Sequence, residues 1–312
     1  MKVLVTGGAG FIGSHVAEQL LGLGHEVAVL DNLSTGKRGN VPAGARLYVV
    51  DLRDRDAMVA ALRDFRPEAV SHQAAQASVV VSLRDPRSDA DVNYIGGLNL
   101  LDACLNAKVS KLVFASTGGA IAGEVEEGDW AREDVVPKPI SPYAIHKLAF
   151  EQMLGVYERH QGLGARVLRY SNVYGPRQDP HGEAGVIAIF LDAVRAGRPV
   201  GVNGLRVAGD AGCLRDYVYV TDVARMNVLA LTGVVTESIA NVCTGIGTST
   251  RELAQSVMRA VGREVPIEPR PPRPGDIGLS VLAPTLTERY VGDLVGLEQG
   301  LAATAQWCSR LP

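Results

Sequence analysis

Cysteine is scarce in this chain of 312 residues, and its four copies (Cys104, Cys213, Cys243 and Cys308) lie far apart. None forms a C-x-x-C pair, which argues against a zinc site. So few in a chain this long also argue against a disulfide framework. Buried thiols in a reducing compartment are the simpler reading. No stretch of 18 apolar residues occurs, so no segment reads as a membrane span. The start, a lone Lys2 before Val-Leu-Val and then glycines, is too short and too broken for a signal peptide. An excess of one charge is missing too. The 31 basic and 34 acidic residues leave a formal net charge of −3, and the longest Lys/Arg run is the Lys37-Arg38 pair. Neither nucleic acid nor an anionic lipid surface is therefore expected as a partner. The expectation is a cytoplasmic enzyme or binding protein.

Apolar residues make up 46% and charged residues 21% of the chain, the proportions of a globular protein. The length suggests about two domains, or one large sheet with an appendage. From residue 2 to about 170 two periods alternate. Short β-branched runs at 2–6, 26–30, 46–50, 68–72, 111–116 and 166–170 are continuously apolar, as strands buried on both faces are. Helical stretches lie between them at 11–23, 55–65, 89–107 and 142–161. This alternation predicts an α/β fold, a parallel sheet doubly wound with helices. Beyond 171 the pattern loosens into a loop at 175–185, helices near 186–196, 221–231, 249–261 and 294–307, and short strands near 215–220 and 239–242. Five prolines fall within 266–274, so an irregular segment over a site is predicted there, neither helix nor central strand. The expected organisation is a nucleotide-binding domain over 1–170 and a smaller mixed α/β substrate domain over 171–312, with some chain returning to the main sheet.

Residues 6–15 read T-G-G-A-G-F-I-G-S-H, directly after a strand and opening a helix. Gly7, Gly10 and Gly13 give G-x-x-G-x-x-G, while Gly8, Gly10 and Gly13 also satisfy G-x-G-x-x-G. Such glycines let a turn be tight, let backbone approach a pyrophosphate and let the helix pack close to the strand. The helix N-terminus then offers its N–H groups to the phosphates. Asp31 ends the second strand, 18 residues past Gly13, and completes a dinucleotide-binding pattern. A carboxylate there accepts ribose hydroxyls and repels a 2′-phosphate, so NAD is expected over NADP although Lys37 and Arg38 lie nearby. Asp51-Leu52, ending the third strand, is the natural place for an adenine contact.

Ser141-Pro142-Tyr143-Ala144-Ile145-His146-Lys147 begins a helix, with Ser141 suited to the N-cap and Pro142 to the first turn. Tyr143 and Lys147 then share one face, a turn apart. A fixed ammonium favours the phenolate. Lowering a tyrosine pKa by about 3 units corresponds to roughly 4 kcal/mol, which brings the phenol into the range of a general base. One unit earlier, a strand ends Phe114-Ala115-Ser116-Thr117. A hydroxyl at its C-terminal end lies where an open parallel sheet binds ligands.

On these motifs the chain resembles the extended short-chain dehydrogenase/reductases, and within them the UDP-glucose (UDP-galactose) 4-epimerases. The resemblance rests also on D-N-L-S-T-G at 31–36, H-Q-A-A-Q at 72–76, D-V-N-Y-I-G-G-L-N-L-L at 91–101 and F-A-S-T-G-G-A at 114–120. It continues through R-Y-S-N-V-Y-G-P-R-Q at 169–178, R-D-Y-V-Y-V at 215–220 and R-P-G-D at 273–276. It implies a Rossmann-type sheet, a homodimer through helices 89–107 and 142–161, and catalysis by Thr117, Tyr143 and Lys147, with Ser116 the less favoured hydroxyl. Cofactor contacts are implied for Gly7, Gly10, Phe11, Ile12, Gly13, Asp31, Asn32, Ser34, Thr35, Gly36, Asp51, Leu52, Gln73, Ala74, Ala75, Asn93, Tyr143, Lys147 and Tyr170. The UDP-sugar is implied to meet Thr117, Asn172, Arg215, Arg273, Asp276 and Ser280, and no metal is implied.

The implied cycle oxidises the sugar at C4 with NAD, turns the 4-keto sugar over about its link to the nucleotide, and reduces it on the other face. Relatives that eliminate water or carboxylate carry acidic groups beside the catalytic hydroxyl. Here Thr117-Gly118-Gly119 is followed by no carboxylate until Glu124, so neither a 4,6-dehydratase nor a decarboxylase is expected. The small Ser280 points to tolerance of N-acetylated UDP-sugars as well. Alternatives are a 4-epimerase of UDP-uronic acids or another nucleotide-sugar-modifying relative, and an NAD-binding sensor without catalysis. Three places depart from the family pattern. Ala122 stands where a tyrosine is usual, His146 where Ser or Thr precedes the lysine, and Ala77 where some relatives place a lysine over the substrate phosphates. His146 is expected to pack or face solvent, outside the chemistry.

Overall fold

The computed structural model describes residues 1–126, 128–180, 185–273 and 276–310. Its first six strands, β1 (Lys2–Thr6), β2 (Glu26–Asp31), β3 (Arg46–Val49), β4 (Ala69–His72), β5 (Lys111–Thr117) and β6 (Gly164–Tyr170), pair in parallel. Four more follow: β7 (Asn172–Tyr174), β8 (Val200–Asn203), β9 (Leu214–Tyr219) and β10 (Ile239–Val242). The main sheet runs β10-β6-β5-β4-β1-β2-β3. Strand order reverses between β1 and β4, and the carboxyl ends there open a crevice, the usual ligand site of a doubly wound sheet.

The apolar runs are continuous because the sheet is covered twice. Along β1, Val3 and Val5 pack in one fully buried cluster with Val16, Leu20, Ala224 and Leu231, while Leu4 enters another with Met58, Leu62, Leu100 and Phe150. The first cluster gathers helices Phe11–Gly22 and Val220–Thr232; the second gathers Arg55–Phe65, Gly96–Ala107 and Pro142–Gln161. Gly97 permits this second layer, since a Cβ there would stand 2.5 Å from the Phe150 ring.

The predicted helix 89–107 is more elaborate. It begins with Pro86–Ala90, passes through a π-turn at Asp91–Ile95 and continues as Gly96–Ala107. Short helices at Val79–Arg84, Gly118–Ala122 and Thr285–Val291 add to the predicted set, and the final helix is Leu297–Ser309.

The remaining strands are β11 (Gly247–Ser249), β12 (Ile267–Arg270) and β13 (Leu279–Ser280). β9 is the hub of a small second sheet, with β7 and β13 parallel to it and β11 antiparallel. A third core of Tyr174, Phe190, Val257 and Leu301 lies beneath it. The proline-rich stretch corrects the expectation of an irregular segment: β12 pairs in parallel with β8, Pro269 opposite Val202. A two-stranded ribbon has a free edge on each strand, which is where a proline is tolerated. Pro274 lies outside the described residues. No helix among the described residues is long and apolar enough to cross a membrane.

Candidate active site

The crevice is a cleft of about 1130 Å³, larger than the ~300–1,000 Å³ of an ordinary small-ligand pocket. Its floor is the glycine loop. Gly7 has φ +66°, and a Cβ on it would stand 2.6 Å from the Ala74 nitrogen. A Cβ on Gly13 would stand 2.3 Å from the Gly7 carbonyl oxygen. The first glycine thus lets the turn pass under the loop after β4, and the third lets helix Phe11–Gly22 sit on the strand end. Asp31, 7% exposed, closes the turn from the other side. Its carboxylate accepts from the Ala9 N–H at 3.0 Å and the Leu33 N–H at 2.8 Å. A Cβ on Gly36 would touch it at 2.7 Å. Asn32 donates to Asp51 at 2.8 Å, and Arg53 grips the same carboxylate through two bonds of 2.8 Å, holding it well below the usual carboxylate range.

All the residues expected to touch cofactor line this cleft except Asn93 and Lys147. Asn93 lies buried behind the wall, where it accepts from the Gln76 N–H at 3.0 Å and donates to the Gln76 carbonyl at 2.8 Å. These two bonds hold the loop peptide at Gln76 from behind the cleft wall. Lys147 is 3% exposed and donates to the Ala115 carbonyl at 2.9 Å. Its Nζ lies 4.7 Å from the Phe114 ring centre and 5.8 Å from that of Tyr143, behind the cleft lining.

A second basic group beside Lys147 is kept uncharged. His72, fully buried between Phe114 and Phe150 and 2.7 Å from the Thr6 hydroxyl, is pushed down to about 3 by burial and then by the Lys147 charge. It stays neutral and leaves the cationic role in that cluster to the ammonium. Two of the tyrosines that line the cleft differ in their surroundings. Tyr170 donates to Gln73 at 3.2 Å, accepts from Asn227 at 2.7 Å and is pushed up to about 12 by burial. It is a fixed wall, whereas Tyr143 stands beside the ammonium and opens on the cleft.

Thr117 ends β5 inside the cleft. The neighbouring Ser116 hydroxyl is committed: it donates at 2.5 Å to Glu151, whose carboxylate is held by Arg169 at 2.7 Å. Both hydroxyl-bearing residues line the cleft, but the Ser116 hydroxyl is bound to Glu151.

The expected UDP contacts divide. Asn172 lines the cleft and donates to the Asp216 carbonyl at 3.1 Å. Arg215 does not line it; its guanidinium donates to the Gly278 carbonyl at 3.1 Å and to the Ile277 carbonyl. It ties the segment before β13 to β9. From the opposite side Glu124 accepts from the Gly278 and Leu279 N–H groups, each at 2.7 Å. Arg273 and Asp276 are exposed at the head of that segment and also lie off the cleft lining. Ser280 is 7% exposed beneath Gly119, where a Cβ would meet its Oγ at 2.2 Å. It backs the turn after Thr117 and does not face the cleft.

Two lining features escaped the sequence. Arg177, with φ +73°, donates to Ser14 at 3.1 Å and to Glu18 at 2.7 Å. Lys37 pairs with Asp179 at 2.9 Å across the mouth. The N-V-Y-G-P-R-Q motif was the available signal for Arg177.

A doubly wound sheet with a glycine cradle, an acid closing its turn and a Tyr–Lys pair at one cleft defines a dinucleotide-dependent enzyme of the short-chain dehydrogenase/reductase class. The chain belongs to the NAD dependent epimerase/dehydratase family, which matches residues 3–243. It is 40% identical, over 98% of both chains, to the UDP-glucose 4-epimerase of Mycolicibacterium smegmatis. Among solved structures it is similar to the Thermus thermophilus UDP-glucose 4-epimerase in complex with NAD, with 55% identity, full coverage of both chains and a TM-score of 0.95. It is similar also to the Thermotoga maritima UDP-glucose 4-epimerase with UDP-glucose, with 43% identity, 99% coverage of each and a TM-score of 0.91.

Proposed function

We propose that this chain is an NAD-dependent 4-epimerase interconverting UDP-glucose and UDP-galactose. The observation that carries this is the meeting of Thr117, Tyr143 and the glycine cradle in one cleft, while Glu124, the first carboxylate after the hydroxyl, is engaged by backbone N–H groups. Gly7 and Gly13, where side chains would collide with backbone, fit a dinucleotide's pyrophosphate on the helix N-terminus, and Asp31 fits its ribose. Bound NAD supplies a reversible hydride acceptor for C4 of the sugar. Tyr143 Oη takes the proton of the C4 hydroxyl and later returns it, with the Lys147 ammonium favouring the phenolate. Thr117 donates a hydrogen bond to the C4 oxygen as it changes charge. Asn172 stands on the UDP side. Arg215 and Glu124 hold the segment that carries Arg273 and Asp276 towards it.

Residues 1–170 are assigned mainly to NAD and 171–312 mainly to the UDP-sugar. UDP-GlcNAc and UDP-GalNAc are proposed as further substrates, checked by comparing kcat/KM for both pairs. Exposed Ile95, Ile145 and Val156 on the 86–107 and 142–161 helices favour a homodimer through that face. Four unpaired cysteines favour a reducing cytoplasm.

The test is turnover of UDP-galactose by purified protein without added cofactor, beside the absorbance of bound NAD. Tyr143→Phe should keep NAD and lose most turnover. A wild type that binds NAD and turns over no UDP-hexose would reject the assignment in favour of a binding-only protein or a different nucleotide sugar.

A further inference from the structure

His146, placed outside the chemistry by the sequence, ends on a buried carboxylate. Its Nδ1–H donates at 2.5 Å to Oδ2 of Asp89, whose side chain is fully buried. The other oxygen of Asp89 accepts from Gln76 Nε2 at 2.6 Å and from Asn93 Nδ2 at 3.0 Å. Asn93 in turn brackets the Gln76 peptide from both sides, and the Gln76 amide closes on the backbone of Ser78 in both directions. A continuous polar chain therefore runs from the helix bearing Tyr143 and Lys147 to the Gln73–Ser78 loop. That loop lines the same cleft as Tyr143.

We propose that His146 is a positioning residue for the epimerase reaction. Through Asp89 it locks the cofactor-side loop at a fixed distance from the Tyr143 phenol while the sugar presents first one face and then the other. The inference rests on the 4-epimerase reading and deepens it. Turning the sugar over requires that the two walls of the cleft keep their separation when the substrate offers least support. A buried carboxylate bonded from three side chains is rigid because no member can leave without abandoning a desolvated charge. Asp89 and Asn93 stand four residues apart on one side of this helical segment, and both join the network.

The test compares His146→Leu, which removes the donor, with His146→Asn, whose amide N–H reproduces the Nδ1 donor. In NAD-loaded enzyme three quantities are read: kcat and KM for UDP-galactose, amide hydrogen exchange at residues 74–78, and melting temperature. The leucine variant is expected to lose about tenfold in kcat, with KM changed less, and to exchange faster at 74–78. The asparagine variant should recover to within about twofold of wild type on both. Wild-type exchange at 74–78 in the leucine variant would overturn the proposal, as would an asparagine variant no better than leucine. If the wild type itself does not turn over UDP-galactose, the epimerase reading fails, and the exchange comparison still decides the lock.

Discussion

Replacing Glu151 by leucine should unfold the protein at a lower temperature and disturb the site from behind. Glu151 is fully buried and its partner Arg169 is 5% exposed. The carboxylate accepts from Arg169 Nε at 3.0 Å, from Nη2 at 2.7 Å and from Ser116 at 2.5 Å. Leucine fills much of the volume and leaves a buried guanidinium whose remaining bond is to the Glu133 carbonyl. Removing one member of such a pair costs about 3–5 kcal/mol. For 312 residues, an unfolding entropy near 2.1 cal/mol/K per residue is about 0.65 kcal/mol/K, so Tm should fall by about 5–8 °C. Differential scanning fluorimetry at saturating NAD, with wild type alongside, measures it. The double variant Glu151→Leu/Arg169→Met should regain more than half of the loss, because no uncompensated charge remains. A single variant within about 2 °C of wild type would refute the reasoning. So would a double variant no more stable than the single.

Lys147→Met should cut turnover and move the residual activity to higher pH, since the ammonium that favours the Tyr143 phenolate is gone; an unshifted rate–pH profile would contradict this. Asp31→Ala should weaken NAD by about ten- to a hundredfold, the loss of a charged acceptor, and narrow the preference over NADP. Titration of both cofactors checks it, and a wild type that binds them equally would count against it. His72, at about 3 in the folded chain against 6.5 unfolded, takes up a proton on unfolding between those values. Stability should therefore fall as pH drops from about 6.5 towards 3, by up to about 1.4 kcal/mol per unit from this residue. Denaturant titrations at pH 6 and 4.5 should show a shallower fall in His72→Gln, and equal slopes would contradict it.

The main sheet was legible because its inner strands are buried on both faces, so a run such as Val3-Leu4-Val5 carries its own signal. The glycine cradle and Asp31 were legible because the turn is local. Other features were not. Val79-Val80-Val81 shows no helical period, yet Ser78 caps it as a helix, accepting from the Val81 N–H at 3.2 Å. The bond between His146 and Asp89 joins residues 57 apart in sequence, which no spacing rule reaches. Arg215 matched a ligand-contact motif, but its direction depends on where the Ile277–Gly278 carbonyls are brought by β13, a two-residue strand. Asn93 belongs to a helix whose π-turn shifts the expected 3.6-residue phase.

The place of β10 also shapes how the chain emerges from synthesis. β6 ends at residue 170 and the strand that covers its outer edge begins at residue 239. At roughly 5–20 residues per second, a nascent chain holds that edge open for on the order of 3–14 s. Seven residues, Gly164–Tyr170, then offer unpaired N–H and C=O groups to any neighbouring strand. The nucleotide half is thus not a detachable cassette. A gene fragment stopping near 170 keeps the glycine cradle, Tyr143 and Lys147 but leaves a sticky sheet edge, and its product should aggregate. Fusing or swapping this half between proteins works only if residues 239–242 travel with it.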